Sequence, residues 1–413
     1  MKKFAEPAPA FVTAVAEMQG LDGPFIFPEK LLQKIWLQGD FDLARAATVD
    51  GRTVQVRHAG KWNLLGGPDF KQARLRLGGE DIIGDVEVHL HAADWVAHAH
   101  AADAAYDDVV LHVVLFPPDE TFSRGRNGRR IPVLALLPLL HRGLEEYAAE
   151  DAVEAATGRP ASLALEELGP LAPEALEALL RREAEARWRQ KIHFAKVRLE
   201  RLGWEAACHY AALEILGYRF NRPPMLRIAA AWPLARWTAG EGTEEEAFTS
   251  ERERWSLQGV RPANHPRRRL SQYAEWVRAR PDWPVRLEAL ARTLPAAGAK
   301  GGTAVFRRAH GLARLRERIA VEVCGGGVGG TRLDNIICDG FWPLLAARVG
   351  GNGLFPWWFH WPAGDLPAHL GGTLRALEVF GGRARPACHG LAQGLLGWLL
   401  AREKSATGAG RGT

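Results

Sequence analysis

Two stretches, Phe70 to Leu77 and Ile82 to Leu90, alternate between hydrophobic and polar positions, with Gly78-Gly79 between them. Alternation places successive side chains on opposite faces of a pleated strand, and a Gly-Gly pair supplies the positive φ of a tight turn, so a β-hairpin is expected. On its second strand Asp85, Glu87, His89 and His91 would share one face, while Val86, Val88 and Leu90 take the other. Upstream, Pro28 opens a helical pattern, PEKLLQKIW, with Leu31, Leu32, Ile35 and Trp36 on one side. Thr48 to His58 reads as a turn and a strand. Downstream, Asp94 is expected to cap a short helical turn holding Trp95 and His98. Asp108 to Leu115 and Ile131 to Leu137 read as apolar strands, separated by a polar loop over 117–130.

Beyond residue 163 the period changes to that of helices. Pro173 opens a long one that Gly203 ends, and further helices are expected over Glu205–Leu216, Met225–Trp237, Glu244–Trp255, Arg268–Arg280 and Trp283–Leu294. The fold class is therefore α+β: a small mixed sheet with flanking helices, then a mainly helical domain. The expected division is a lead-in over 1–24, an α/β domain over 25–145, a polar linker over 146–162, a helical domain over 163–402 and a disordered tail over 403–413.

Composition narrows the class. With 413 residues, 47% hydrophobic and 24% charged, the chain has the balance of a globular protein with two domains. No apolar run approaches the ~20 residues that cross a bilayer, so no membrane partner is expected, and a cytoplasmic location is the plain expectation. Four widely spaced cysteines form no C-x-x-C pair and imply neither a disulfide framework nor a zinc ribbon. Charge is uneven. Residues 1–150 hold 16 Lys/Arg against 21 Asp/Glu, and the remainder 37 against 27. An acidic half with clustered carboxylates beside a basic half suits a metal site fed by an anionic substrate, although ordinary surface charge gives the same numbers.

Residues 66–114 contain five of the 14 histidines. A strand face carrying carboxylates and imidazoles is costly to bury unless a partner neutralises it, and a metal ion does so with one atom. Asp69, at the mouth of the first hairpin strand, stands where an antiparallel neighbour brings it near Glu87. For Asp69 the structural alternative is a turn cap, since GGPD is good turn chemistry. For Glu87 it is a cross-strand ion pair with Arg74 or Arg76. His89 and His91 are the imidazoles favoured by the alternation; His98 and His100 could hold ligands in place, and His112 reads as a hydrogen-bonded core residue. Helix 173–203 holds eight Lys/Arg against three Glu between residues 181 and 201. Arg181, Arg182, Arg189, Lys191 and Arg198, with Arg261, Arg267 and Arg268, form the candidate phosphate-contacting surface, against the alternative of a solvated face with i,i+4 pairs. The aromatic run FPWWFHW at 355–361 reads as core rather than a base-stacking platform.

Asn63, GPDF at 67–70, GDVEVH at 84–89, DW at 94–95, HAH at 98–100, Tyr106 and LHVV at 111–114 together resemble the signature of a widespread bacterial family known only as a domain of unknown function. The run RPANHP at 261–266 is similar to a further element of that family. Pro68-Asp69, followed eighteen positions on by Glu87-Val88-His89, is also similar to the metal-binding motif of the restriction-endonuclease-like PD-(D/E)XK nuclease superfamily. That resemblance implies Asp69 and Glu87 as ligands of Mg²⁺ or Mn²⁺, a helix–three strands–helix–strand core, and Glu29 as an additional helix-borne acid. The pattern departs at His89, which stands where the superfamily has lysine.

Three functions follow. The first is a Mg²⁺-dependent phosphodiesterase acting on nucleic acid, with Asp69 and Glu87 on the ion and His89 orienting or deprotonating water. The second is a Zn²⁺ or Fe²⁺ enzyme on a small molecule, its site drawn from Glu87, His89, His91, His98 and His100, with Asp94 nearby. The third is a nuclease-fold protein that binds nucleic acid or a protein partner without catalysis.

Overall fold

In the computed structural model, residues 27–409 are described apart from 64–65, 158–160, 219–220, 259, 261, 296, 298–301 and 351. The expected lead-in over 1–24 and Arg261 lie outside the described residues. The chain divides into two compact units, one over Ile26–Ala148 and one built from Ala149 onward.

The first unit is α+β. Helix α1 (Glu29–Gln38) buries Leu31, Leu32, Ile35 and Trp36, the stripe its sequence marks out. Strands β1 (Val54–His58), β2 (Lys61–Trp62), β3 (Phe70–Leu77) and β4 (Glu80–His89) follow. Then come a single-turn helix α2 (Asp94–Ala97), two 3₁₀ turns over His100–Ala102 and Ala104–Tyr106, and strands β5 (Val109–Val114), β6 (Phe122–Arg124) and β7 (Arg130–Ala135). All seven strands form one mixed sheet in the order β1-β3-β4-β5-β7-β6, with β2 on the edge of β3. Neighbours β1–β3, β3–β4 and β6–β7 are antiparallel; β4–β5 and β5–β7 are parallel.

Gly78 and Gly79 turn the β3–β4 hairpin at φ 58° and 98°, a conformation open to glycine at little steric cost. Along β3, Phe70, Ala73, Leu75 and Leu77 are buried, and the alternation slips at a bulge between Phe70 and Ala73 where Gln72 sits at φ 57°. On β4 every residue from Asp85 to His89 is buried, so both faces of that end are covered. The strand stops at His89, because the backbone turns there and the His91 N–H bonds to Asp94 Oδ2 at 3.0 Å. Beta-strand β6 interrupts the loop expected over 117–130: three residues paired only with β7 carry too short an alternation to see in the sequence.

The second unit is mainly helical. Its long helix spans Pro173–Leu202. The expected Met225–Trp237 helix is two, Arg222–Ala231 and Leu234–Thr238, divided at Pro233, which cannot donate to the ladder. The expected Glu244–Trp255 helix stops at Ser250. Two corrections concern segments read as unstructured. The linker is helical over Leu144–Thr157, as its Ala and Glu content favours, and the C-terminal helix His389–Ala409 runs well into the supposed tail. The run from Phe355 to Trp361 is buried in the helical core, as read from sequence.

Candidate metal centre

Asp69 immediately precedes β3, and the pairing of Phe70 with Val86 sets it beside Glu87 on β4. The two acids are laced reciprocally. The Asp69 N–H donates to Glu87 Oε2 at 3.0 Å, and the Val88 N–H donates to Asp69 Oδ2 at 3.0 Å. Asp69 Oδ1 accepts from Gln33 Nε2 at 2.7 Å, while Gln33 Oε1 accepts from Trp62 Nε1. Gln33 lies one helical turn beyond Glu29, on the same side of α1. At the bulge in β3, Lys71 reaches Asp85 Oδ2 at 2.8 Å and the Gln72 N–H donates to Asp85 Oδ1 at 3.0 Å, so Asp85 is engaged by lysine while Glu87 is not.

Glu87 turns its other oxygen to the imidazoles. Oε1 lies 3.4 Å from His89 Nε2 and 3.3 Å from His100 Nε2. His89 Nε2 is also 3.2 Å from His98 Nδ1 and 3.3 Å from His100 Nε2. One ligand atom from each of His89, His98 and His100 falls within 4.8 Å of the others. Behind them, His89 Nδ1 and His112 Nε2 are 2.9 Å apart, and His112 Nδ1 meets Ser123 Oγ at 2.7 Å. The Tyr106 ring stacks on His100 at 3.9 Å, and Trp95 lies edge-on to it. His89 and His112 are fully buried, whereas His98 is exposed.

Electrostatics follow from this crowding. Burial pushes Glu87 up to about 8, helped by Asp69. Burial also lifts Asp69 to about 6 and Glu29 to about 7, the latter with contributions from Asp69 and Asp94. The imidazoles move the other way: burial and the neighbouring rings lower His89 to about 4, and His100 and His112 shift down for the same reasons. Burial and the surrounding carboxylates raise Tyr106 to about 12, so its phenol keeps its proton. Without a cation, Glu87 keeps its proton at neutral pH while His89, His100 and His112 are uncharged.

Of the residues singled out from sequence, Asp69, Glu87, His89, His98 and His100 come together, with Glu29 electrostatically coupled to them. Asp94 begins α2, where its carboxylate accepts the His91 N–H. His91 does not join: it is exposed and stacks on Phe116 at 4.8 Å, since the strand that would have carried it to the shared face has ended. Neither Arg74 nor Arg76 pairs with Glu87 among the described residues. Gln33, Lys71, Tyr106 and Ser123 are parts of the site that sequence reasoning missed. Gln33 left a signal in its i,i+4 relation to Glu29, and Tyr106 stands in the signature run.

A family model described as "Protein of unknown function (DUF2851)" matches residues 29–249, more than half the chain. The chain belongs to this family. The match begins at Glu29 and takes in every residue of the centre. No curated protein and no solved structure matches the chain.

In the helical unit, many candidate phosphate contacts already have partners. Lys191 pairs with Asp339 at 2.8 Å, Arg198 with Glu214 at 2.8 Å and Arg267 with Glu245 at 3.0 Å. Arg181 lies over the rings of Phe355 and Phe359, and Arg182 pairs with Glu183 at 3.2 Å. Arg189 and Arg268 are exposed.

Proposed function

We propose that the protein is a divalent-metal-dependent phosphodiesterase acting on nucleic acid, with Asp69 and Glu87 as ligands of Mg²⁺ or Mn²⁺. The observation that carries this reading is the reciprocal lacing of the two acids. Each receives a main-chain N–H from the other's segment, Glu87 is buried and Asp69 half-buried, and among the described residues neither has a lysine or arginine ion-pair partner. Buried carboxylates so placed are costly as anions unless a cation joins them. The sheet order also supports the reading, since an antiparallel hairpin carrying both acids continues into a parallel strand after a short helix.

Such an ion, when bound, acidifies a water and neutralises charge on the scissile phosphate. The protein's own groups do the rest. Glu29 adds a third carboxylate from the first turn of α1. Gln33 fixes the Asp69 rotamer. Tyr106, protonated throughout the neutral range, is a donor for a phosphate oxygen. His89 is neutral at neutral pH, so it supplies no lysine-like positive charge. Exposed Arg189 and Arg268 supply cationic surface for a phosphate backbone.

The test is cleavage of single- and double-stranded DNA with Mg²⁺ or Mn²⁺ by the wild type, Asp69→Asn and Glu87→Ala. The wild type should cleave, chelator should stop it, and each variant should lose about 100-fold or more, as loss of a group acting directly on the reaction does. Equal inertness of all three proteins would refute the catalytic reading.

A further inference from the structure

We propose that His89, His98 and His100 form a second metal site beside the Asp69–Glu87 pair, with the Glu87 carboxylate at its edge, and that it takes a zinc-type ion. Zinc bonds to imidazole nitrogen and carboxylate oxygen at about 2.0–2.1 Å, so the edges of a tetrahedron of such ligands measure roughly 3.3–3.4 Å. His89 Nε2 lies 3.2 Å from His98 Nδ1 and 3.3 Å from His100 Nε2, two such edges, and one ligand atom from each of the three rings falls within 4.8 Å of the others.

Hydrogen bonding does not account for the same distances. An imidazole nitrogen offers a single directed valence, one N–H or one lone pair. His89 Nε2 nevertheless has three polar neighbours within 3.4 Å, and only one of them can share that valence. A cation among the three rings uses a lone pair from each at once.

The surroundings are those of a ligand set held in advance. With its Nε2 lone pair turned to the ion, His89 carries its proton on Nδ1 and donates it to His112 Nε2. His112 in turn carries its own on Nδ1 and donates to Ser123 Oγ, a consistent chain of tautomers through fully buried groups. Ala99, between the two histidines of the H-x-H pair, sits in the left-handed region at φ 58°, a conformation disfavoured for a residue with a Cβ. Strain of this kind clusters where a fold fixes functional side chains. Three imidazoles favour Zn²⁺ or Fe²⁺ over Mg²⁺. Exposed His98 gives the ion a way in. Glu87 stands between the two sites, with Oε1 toward His89 and His100 and Oε2 toward Asp69. The inference goes beyond the phosphodiesterase reading and does not depend on it.

Co²⁺ titration of the full-length, chelator-stripped protein is the test, read by visible absorption and by metal stoichiometry. One equivalent should bind with the intense bands of four-coordinate Co²⁺, and Zn²⁺ should displace it. His98→Ala, at an exposed position, should keep the metal-free melting temperature and lose affinity by more than the 10- to 100-fold expected for Ser123→Ala, which removes only an outer partner. Asp69→Asn should still bind Co²⁺. Absence of stoichiometric binding, or binding equally tight in folded His98→Ala and His100→Ala, overturns the site. Loss of Mg²⁺-dependent cleavage with Co²⁺ binding intact would instead count against the phosphodiesterase alone.

Discussion

Glu87 concentrates the electrostatic conflict at the residue scale. It lies mid-strand in a buried environment, accepts one main-chain N–H and faces two imidazoles, and its carboxyl rises to about 8. Glu29, at about 7, shares the problem. A carboxyl raised in the folded state holds a proton that the unfolded chain has already released, so its contribution to stability is lost as pH rises through the folded value. Below about 6.5 the depressed histidines of the same unit act in the opposite sense, which leaves pH 6.5 to 8 as the window where the carboxylates act without that opposition. In chelator, the melting temperature of the first unit should fall across that window, and millimolar Mn²⁺ should flatten the fall. A flat profile in chelator would show that these acids ionise freely.

At the scale of elements, the site depends on how closely β4 approaches β5. A Cβ at Gly84 would collide with Val110 Cγ1 and lie 2.8 Å from the Asp108 carbonyl oxygen. Gly84→Ala should therefore cost about 1–3 kcal/mol, measured by denaturant unfolding, and should loosen the strand that positions Glu87 and His89. Wild-type stability in that variant would mean the two strands have slack. The helical unit uses the same device: a Cβ at Gly394 would strike the Leu180 carbonyl, and one at Gly397 would come within 3.1 Å of the Glu183 carbonyl, so the last helix packs backbone to backbone on the basic one. This packing, with ion pairs such as Arg198–Glu214, explains why a helix dense in arginine is largely structural. The hairpin and the α1 stripe were legible because their periods are local. The helix over Leu144–Thr157 was less so, because its Ala- and Glu-rich run reads as a polar linker. The end of β4 was not: one turn, fixed by Asp94, separated His91 from the face its spacing assigned it.

The whole molecule responds to acid through buried neutral histidines as well. In the helical unit His209 bonds Tyr273 Oη at 2.6 Å and the Trp232 carbonyl at 2.9 Å, and burial lowers it to about 4; burial likewise lowers His389 to about 4 and His360 to about 3. The unfolded chain takes up these protons near pH 6.5 and the folded one only near 4, so stability present above 6.5 is lost as pH falls toward 4. Thermal melts of the full chain should show that decline, and His209→Gln should reduce it; an unchanged slope would mean His209 is protonated in the folded state. By itself the sequence determined the two-part architecture, the hairpin and the strand position of Glu87 and His89, because period and turn chemistry act over a few neighbouring residues. Tertiary structure alone decided which imidazoles meet Glu87. His100 reaches it, and His98 reaches His89, through a left-handed turn at Ala99, while His112 and Ser123 stand behind His89 on the parallel β5 and the edge strand β6. Those convergences depend on long-range pairing that no local pattern encodes.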